Sequence, residues 1–406
     1  MPGSDDDARF GFDRSGVRLC GAEAAGLILR RSPGKIDVGP LRNKSQPKAP
    51  MYSVEFAYKI VPSGEAEAGL GNPLIRQLAA IECGEGLQQA ARSLGVSYRY
   101  FWGEIEAWEA KFGQKLVIRE QGRRARLSPL GAKLLWAERT VMANHAVQIE
   151  KMRTELNAAF AAACDPEAEI VRIAGCFDPW LATLPAFLYS SHLIADLQFS
   201  TSVAGLRALA SHDCDLAGFN YPRGAARGST AARTFAPLID PERISMCRFA
   251  SRTQGLAVAN GNPLGITSLA DVAARGLRYA GRNAGTGTEV LLQDLCLAAN
   301  VDPARLRRTS SEASHRAVAL AVAAGRADAG LCVENAARQA GADFIPLTLE
   351  DYCLAWRRDA VPASLDKILA TLRSDEWRNS AGKFAGVSGA SCGLDVDVRA
   401  ELGWWD

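Results

Sequence analysis

The chain has 406 residues, of which 48% are hydrophobic and 23% charged, and its formal net charge is +2. This length exceeds one ordinary core, and the composition is that of a globular protein, which excludes fibrous and wholly disordered classes. The small net charge excludes nucleic-acid binding by the field of the whole molecule, so any such binding requires a local basic cluster.

The ten cysteines are scattered, without a Cys-x-x-Cys pair or a histidine at metal-ligand spacing. We therefore expect reduced thiols and no metal site. No apolar run approaches the ~18 residues that a membrane span requires. The first residues, MPGSDDDARF, are acidic where a signal peptide is basic. These features predict a cytoplasmic protein that does not contact a membrane.

Residues 1–50 mix glycine, proline, serine and charged residues without apolar periodicity, so we expect a disordered N-terminal extension. The next segment, MYSVEFAYKIV, alternates apolar and polar residues from Val54 to Ile60, which predicts a strand. Translation from Met51, with no extension at all, is a hypothesis that follows from this change of pattern.

From Pro73 the apolar spacing becomes helical. A second helix is predicted from Leu87 to Leu94, and a third begins behind Ser97, a good N-cap, and runs to Phe112. Two helices joined by a glycine-containing turn are typical of a helix-turn-helix, and the hairpin sequence LVIREQGRRARLS that follows indicates a wing. Residues 51–128 are thus predicted to form a winged helix-turn-helix DNA-binding domain.

Basic residues cluster around this hairpin against a single acid, Glu120. Such a cluster beside a helix-turn-helix is typical of phosphate binding, and the N-terminal end of the third helix is the end that reaches base edges. The predicted DNA-contacting residues are Ser97, Tyr98, Arg99, Tyr100, Lys115, Arg119, Arg123, Arg124 and Arg126. The alternative is a solvated basic hairpin on a winged helix that mediates protein contacts.

A long helix is predicted from Pro129 to about Ala163, because apolar residues recur at spacings of three and four. Its apolar stripe is longer than one small domain can cover. Residues 129–163 are therefore predicted to link the two halves and to hold a homo-oligomer, either a dimer or a tetramer, together.

Beyond Asp165-Pro166 short apolar strands alternate with helices, the order that builds a parallel sheet. The predicted strands are 170–173, 195–199, 216–219, 278–280 and 329–333, and the predicted helices are about 178–189, 202–211, 288–299, 314–325 and 364–377. Two related phrases, Asp215-Leu-Ala-Gly and Asp328-Ala-Gly-Leu, begin strands at matching points of two apparent halves. Residues 166–406 are therefore predicted to form a two-lobed ligand-sensing domain.

The segment Gly285-Thr286-Gly287-Thr288 lies between a predicted strand and a helix, where backbone N–H groups and hydroxyls could bind an oxyanion. The alternative is a capping box, in which Thr286 and Glu289 satisfy those N–H groups themselves. Glu289 would also repel an anion, and Arg282 is the candidate to compensate for it.

Other polar residues follow predicted strands and are expected to line a cleft between the lobes. The predicted ligand-binding residues are Asp178, Ser202, Asn220, Arg282, Thr286, Gly287, Thr288, Ser314 and His315. A histidine at position 315 could equally be a capping or surface residue. No catalytic triad, paired-carboxylate motif or phosphate-binding loop occurs, so we expect no catalytic residues and no enzyme. An enzyme of this fold would need a buried acid/base pair, and Asp178 with His315 is the candidate pair that the sequence offers.

The stretch from Gly86 to Leu135 resembles the DNA-binding domains of LysR-type regulators and, more closely, of the molybdate-responsive ModE-type regulators. The phrases that carry this resemblance are AARSLGVSY, the tryptophan-to-FG segment of the third helix and LSPLG. RNAGTGTEVLL and EASHRAVALAVAAGRADAGL resemble the periplasmic-binding-protein-like domain of molybdate- and molybdopterin-related proteins. Together they resemble the regulators of formate dehydrogenase operons.

This resemblance implies an α+β winged helix-turn-helix, a long linker helix and a two-lobed α/β periplasmic-binding-protein-like domain. It implies a regulator that binds double-stranded DNA and controls a formate dehydrogenase or another molybdoenzyme operon. Its effector would be molybdate, tungstate, or a pterin-type or formate-related compound, with no covalent cofactor. The alternative is a storage or delivery protein for a ligand or cofactor, in which the winged helix contacts other proteins.

Overall fold

The computed structural model describes residues 54, 56, 71–83, 86–120 and 123–405. The predicted extension over residues 1–50 and most of the strand predicted after Met51 lie outside these residues. Among the described residues, no helix is both long enough and apolar enough to cross a membrane.

The helices are α1 (Pro73–Glu82), α2 (Leu87–Ser93), α3 (Tyr98–Phe112), α4 (Pro129–Cys164), α5 (Leu184–Tyr189), α6 (Ser202–Ala210), α7 (Thr230–Phe235), α8 (Leu269–Ala274), α9 (Gly287–Ala298), α10 (His315–Ala323), α11 (Glu334–Ala340), α12 (Leu365–Arg373), α13 (Asp375–Ser380) and α14 (Val398–Leu402). The strands are β1 (Val117–Ile118), β2 (Arg126–Leu127), β3 (Glu169–Gly175), β4 (Leu193–Phe199), β5 (Leu216–Pro222), β6 (Ile244–Val258), β7 (Arg278–Arg282), β8 (Arg307–Glu312), β9 (Ala329–Val333), β10 (Asp343–Arg357), β11 (Val387–Ser388) and β12 (Asp395–Val396). Short 3-10 helices lie at Leu181–Thr183, Ala236–Leu238, Pro303–Arg305 and Ala381–Lys383.

The N-terminal unit consists of α1, α2 and α3 followed by the antiparallel pair β1–β2. The third helix begins where sequence predicts, because the Ser97 hydroxyl accepts a hydrogen bond from the backbone N–H of Tyr100 at 3.2 Å. It ends at Gly113, whose φ of +67° favours glycine. Phe101 and Ile105 are fully buried, which places the apolar stripe of α3 in the core of this unit.

Helix α4 is joined firmly to the N-terminal unit. Ser128 caps its first turn and donates a hydrogen bond to the Lys115 carbonyl oxygen at 2.6 Å. Gly131 lies against the Leu116 carbonyl oxygen so closely that a Cβ atom would clash with it. Arg139 forms an ion pair with Glu82 of α1. With 36 residues, α4 is about 54 Å long, so it extends well beyond the unit that holds its first turns.

The larger part of the chain forms one mixed sheet in the order β4-β3-β5-β10-β6-β9-β7-β8. Its two outer groups, β4-β3-β5 and β9-β7-β8, are parallel, as the alternation of strands and helices predicts. The predicted parallel arrangement does not extend to the centre, where β6 and β10, which were not predicted and have 15 residues each, run antiparallel to their neighbours. These two strands pass from one half of the sheet to the other and join two α/β lobes: lobe 1, which contains β3, β4 and β5, and lobe 2, which contains β7, β8 and β9.

The same arginine–aspartate contact occurs once within each lobe. Arg172, in the first strand of lobe 1, binds Asp215 through its backbone N–H at 2.8 Å and through Nε and Nη2 at 3.2 and 2.7 Å. Arg278, in the first strand of lobe 2, binds Asp328 in the same way at 2.8, 3.2 and 2.6 Å. These aspartates are the ones in the two related sequence phrases, so the phrases mark equivalent positions of two similar lobes.

Candidate functional site

The first turn of α3 presents polar and aromatic side chains to solvent. Tyr98, Arg99 and Tyr100 are exposed, and the hydroxyl of Ser97 is engaged as the helix cap. A concave surface lies between this turn, the start of α2 and the hairpin, and Gln88, Tyr98, Arg119, Arg123 and Arg124 are among the residues that line it. The structure therefore places Tyr98 of α3 beside the predicted hairpin contacts Arg119, Arg123 and Arg124, whereas Lys115 lines a separate concave surface with Glu106 and Glu109.

Several of the predicted basic contacts are paired with acids. The Lys115 ammonium lies 2.6 Å from Glu109, whose carboxylate also accepts hydrogen bonds from the N–H groups of Leu116 and Val117. Burial acts to raise the pKa of Glu109, but these hydrogen bonds together lower it below its usual value. Lys115 therefore fixes the start of the hairpin, in addition to any contact that it makes outside the protein.

The hairpin itself contains a second paired group. Glu120 binds Arg123 at 2.9 Å and Arg126 at 3.0 Å, and these hydrogen bonds lower the pKa of Glu120. The Arg119 guanidinium lies over the Trp102 ring, 4.6 Å from its centroid. Because surface ion pairs of this kind contribute little stability, the arginines can exchange Glu120 for a phosphate at small cost.

Between the lobes, buried polar side chains meet at β6 and β10. Arg252, which is 3% exposed, binds Asp178 at 2.8 Å and also pairs with Glu350, which is fully buried. Gln254 donates a hydrogen bond to the same Glu350 carboxylate at 3.0 Å. Burial acts to lower the pKa of Arg252, but the charges of Glu350 and Asp178 outweigh this effect and raise it. The guanidinium is therefore charged, and two carboxylates hold it.

Asn220 extends this network towards lobe 2. Its amide nitrogen donates to Glu350, and its amide oxygen accepts from the Ser202 hydroxyl at 2.8 Å. The Ser202 hydroxyl also lies 3.0 Å from Cys176 Sγ. A Cβ atom on Gly287 would clash with the Asn220 amide, so the first turn of α9 from lobe 2 packs directly on lobe 1 at this point. Glycine at position 287 is thus required for close approach of the lobes.

Lobe 2 contributes two further polar side chains, an imidazole and a guanidinium. His315 Nε2 lies 3.5 Å from the Thr288 hydroxyl, and Arg282 donates to the Glu312 carbonyl oxygen at 2.8 Å. Burial, together with the charges of Arg282 and Arg252, lowers the pKa of His315 well below its usual value, so the imidazole is neutral. Burial lowers the pKa of Arg282 to about 10, which still leaves the guanidinium charged at neutral pH.

The structure thus brings most of the predicted ligand residues into one region: Asp178, Ser202, Asn220, Arg282, Gly287, Thr288 and His315. Thr286 caps α9, since its hydroxyl accepts from the Glu289 N–H at 3.4 Å. Among the hydrogen bonds described, Glu289 does not complete a capping box. Its carboxylate pairs with Arg308 instead. This ion pair neutralises the negative charge that would repel an anion.

Ser314 takes part in a different contact. It caps α10 through the Ala317 N–H and donates a hydrogen bond to the Ala143 carbonyl oxygen of α4 at 2.8 Å. Ser314 is 5% exposed, and Ala143 is fully buried against α10. It therefore joins lobe 2 to the long helix, and the neighbouring residue His315 is the one that reaches Thr288.

Sequence reasoning did not identify Arg252, Gln254 or Glu350, which form the centre of the inter-lobe network. The available signal was a mixture of charged and amide residues with apolar ones over the length of a strand, as in RFASRTQGLAV and LEDYCLAW. Such residues are buried only when they are paired. Within the described part of the chain, no group of histidine, cysteine or acidic residues has the geometry of a metal site.

Comparison with known proteins bears on the two-lobed domain. Residues 189–373 match the PBP superfamily domain family. This segment runs from the end of α5 to the end of α12 and includes the central strands β6 and β10. The similarity to this family therefore covers most of the two-lobed α/β domain, with β3 and the elements after α12 outside the match.

A curated relative matches part of the chain. The uncharacterized protein YvgK of Bacillus subtilis (strain 168) is 36% identical over 102 residues, which are 25% of this chain and 33% of that protein. The chain thus spans about a third of the length of the curated relative that it matches.

Several solved structures superpose on the chain. CbnR, a LysR family transcriptional regulator, is 19% identical, with 74% of this chain and 99% of that chain covered and a TM-score of 0.36. A mutant of OxyR from Corynebacterium glutamicum is 15% identical, with 76% and 91% covered and a TM-score of 0.39. Full-length BenM is 14% identical, with 77% and 98% covered and a TM-score of 0.38. These TM-scores are too low to establish a common overall arrangement.

Proposed function

We propose that the chain is a non-enzymatic transcriptional regulator that binds double-stranded DNA through its N-terminal unit, a winged helix-turn-helix, and responds to a small ligand held between its two lobes. One observation carries this proposal: α4 is fixed to the N-terminal unit at one end and contacts both lobes along the rest of its length. A change in the distance or angle between the lobes would therefore move α4, and with it the DNA-binding surface of the N-terminal unit.

The two contacts of α4 lie on different lobes. Ala143 accepts the hydrogen bond from Ser314 of lobe 2, whereas the Thr154 hydroxyl lies 3.0 Å from the carbonyl oxygen of Leu197 in β4, the edge strand of lobe 1. Both contacts are buried. A ligand that favours one separation of the lobes must shift at least one contact, so it biases the angle of α4.

The DNA-binding part of the proposal rests on the exposed start of α3 and the adjacent hairpin. A helix of this kind presents its N-terminal residues to base edges, while basic hairpin residues contact phosphates. Tyr98, Arg99 and Tyr100 have the exposure that this role requires, and Arg119 and Arg124 line the same concave surface.

Oligomerisation through α4 is part of the same proposal. Large apolar side chains remain exposed on this helix at spacings that are mostly helical, namely Val141, Met152, Leu156 and Phe160. An apolar stripe on a helix normally packs against another element. We propose that a second copy of α4 covers this stripe, which would produce a dimer, or a tetramer if the lobes also associate, and would place paired N-terminal units on DNA.

For the effector, the sequence resemblance suggests molybdate, tungstate, or a pterin-type or formate-related compound, and a formate dehydrogenase or other molybdoenzyme operon as the target. The structure supports a small ligand with acceptor atoms, because Arg252 and Arg282 both lie between the lobes. We propose that the protein acts in the cytoplasm without a covalent cofactor.

The deciding experiment measures binding of the full chain to the DNA upstream of its own gene by fluorescence anisotropy, between about 50 and 200 mM salt. We expect affinity to fall by orders of magnitude across this range and to change when an effector from the panel above is added. Arg124→Ala should weaken DNA binding, and Arg305→Ala, at an exposed position in lobe 2, is the matched control. Affinity that depends on neither salt nor any compound of the panel would refute the proposal.

The pairing of Lys115, Arg123 and Arg126 with acids favours a second candidate, a storage or delivery protein whose N-terminal unit contacts proteins. These ion pairs reduce the net positive charge of the surface. A protein of this kind would bind its ligand but would show no salt-dependent binding to DNA in the same assay.

A further inference from the structure

The inter-lobe region contains buried polar atoms without a hydrogen-bond partner. Among the described residues these include Nε of Arg252, Nε of Arg282, Nδ1 of His315 and Oε1 of Gln254. Arg252 is 3% exposed and Gln254 is fully buried. Buried polar atoms are normally satisfied, so a group of them in one place indicates that a ligand or ordered water completes the site.

The chemical character of three of these atoms is fixed by their neighbours. The two arginine Nε atoms can only donate. The amide of Gln254 can be oriented with certainty, because its nitrogen faces the Glu350 carboxylate at 3.0 Å and a carboxylate accepts hydrogen bonds. The unpartnered Gln254 atom is therefore the oxygen, which can only accept. A single partner that satisfies all three atoms must therefore carry both acceptors and a donor.

We propose that the ligand of the inter-lobe site is a lactam or amide heterocycle, whose carbonyl or ring nitrogen accepts from Arg252 or Arg282 and whose N–H donates to Gln254 Oε1. This inference rests on the function proposed above and selects one chemical class among its candidate effectors. A lactam edge carries an N–H group next to a C=O group, which matches an amide oxygen close to a guanidinium.

The charges of the site support this class over a bare oxyanion. The two guanidinium groups of Arg252 and Arg282 are balanced by the carboxylates of Asp178 and Glu350, and the neutral imidazole of His315 adds no charge. A fully deprotonated oxyanion such as molybdate offers acceptors only. It would leave Gln254 Oε1 unsatisfied and would lie close to two buried carboxylates.

The test uses the full chain and compares three probes by isothermal titration calorimetry: pterin, 3-methylpterin, in which a methyl group replaces the lactam proton, and molybdate. We expect pterin to bind at least about tenfold more tightly than either of the other two, which corresponds to one buried hydrogen bond. Gln254→Met removes the acceptor at similar volume and should weaken pterin about tenfold while leaving 3-methylpterin unchanged. Arg305→Ala should alter none of the three affinities.

Folding of Gln254→Met is verified by a single cooperative unfolding transition, whose midpoint should fall only by the loss of the hydrogen bond from Gln254 to Glu350, and by an unchanged near-ultraviolet circular dichroism spectrum. Tighter binding of molybdate than pterin, equal binding of pterin and 3-methylpterin, or binding of no probe would each overturn the inference. If molybdate binds more tightly than pterin and changes DNA affinity, the inference fails while the regulator proposal stands. If pterin binds as expected but DNA affinity does not respond, the regulator proposal fails and the inference stands.

Discussion

The contact between Ser314 and Ala143 provides a direct test of how lobe 2 holds the long helix. The Ser314 hydroxyl makes two hydrogen bonds, accepting from the Ala317 N–H at 3.0 Å and donating to the Ala143 carbonyl oxygen at 2.8 Å. Ser314→Ala removes both with little change in volume. Ser268→Ala is the matched control, because Ser268 caps α8 in the same lobe through the Asp271 N–H at 3.1 Å and makes no described side-chain contact with α4.

Loss of a serine N-cap costs about 1 kcal/mol, and loss of one further buried hydrogen bond costs about 0.5–1.5 kcal/mol. We therefore expect Ser314→Ala to lower the free energy of unfolding by about 2 kcal/mol and Ser268→Ala by about 1 kcal/mol. The difference between the two variants measures the contact with α4. Urea unfolding followed by circular dichroism provides both values.

The same two variants test whether this contact transmits the ligand signal. If Ser314 couples lobe 2 to α4, its replacement should reduce the ratio of DNA affinities with and without effector, and Ser268→Ala should leave that ratio unchanged. Equal losses of stability in the two variants, together with equal ligand responses, would show that the Ser314–Ala143 contact contributes neither stability nor coupling.

Two further predictions concern the inter-lobe network. Arg252→Met should lower the free energy of unfolding by about 3–5 kcal/mol, because it leaves Asp178 and Glu350 buried without their cation. Glu350→Gln keeps the pair between Arg252 and Asp178, so it should lower the free energy of unfolding by less. Equal losses in urea titrations of the two variants would contradict this prediction. The folded-state pKa of His315 lies well below its unfolded value. The stabilising effect of keeping this imidazole neutral is therefore complete above about pH 6.5, the unfolded pKa. As the pH falls below that value, the free energy of unfolding decreases by up to about 1.4 kcal/mol per pH unit. His315→Gln should remove that part of the pH dependence of unfolding, and an unchanged profile would refute the assignment.

Local sequence signals predicted α1 to α4, α6, α9 and α10 because caps and periodicity are short-range, whereas the short helices α7, α8, α11 and α14 were not predicted and the helix predicted over 364–377 is divided into α12 and α13. Ser97, Ser128 and Thr286 each begin a helix as a side-chain cap, and the apolar spacing behind each residue continues in the structure. The parallel strands β3, β4, β5, β7 and β9 were found for the same reason, since each is a short apolar run that follows a helix, whereas the parallel edge strand β8 was missed because its sequence, RRTSSE, is polar. The related phrases at Asp215 and Asp328 correctly indicated two similar lobes.

The central strands β6 and β10 could not be predicted in this way. Their sequences contain Arg252, Gln254 and Glu350 where apolar residues would be expected in a buried strand. These side chains are tolerated because Arg252 and Gln254 both bind the Glu350 carboxylate, and the pairing of Arg252 with Glu350 is a register that only the assembled sheet defines. The same long-range dependence explains why Arg252, Gln254 and Glu350 were missed. The surrounding residues, such as Asn220, Gly287 and His315, were found because they lie near the ends of strands or at the starts of helices.

Ser314 and His315 are consecutive residues with different partners, and this arrangement gives the regulator proposal its physical basis. His315 reaches Thr288 between the lobes, while Ser314 reaches Ala143 on α4. A ligand that contacts the imidazole and changes the first turn of α10 must also act on the hydrogen bond one residue earlier. Since α4 is anchored to the N-terminal unit through Ser128 and Arg139, the proposed regulation requires the contact between α10 and α4 to have two arrangements, one favoured with the ligand and one without it.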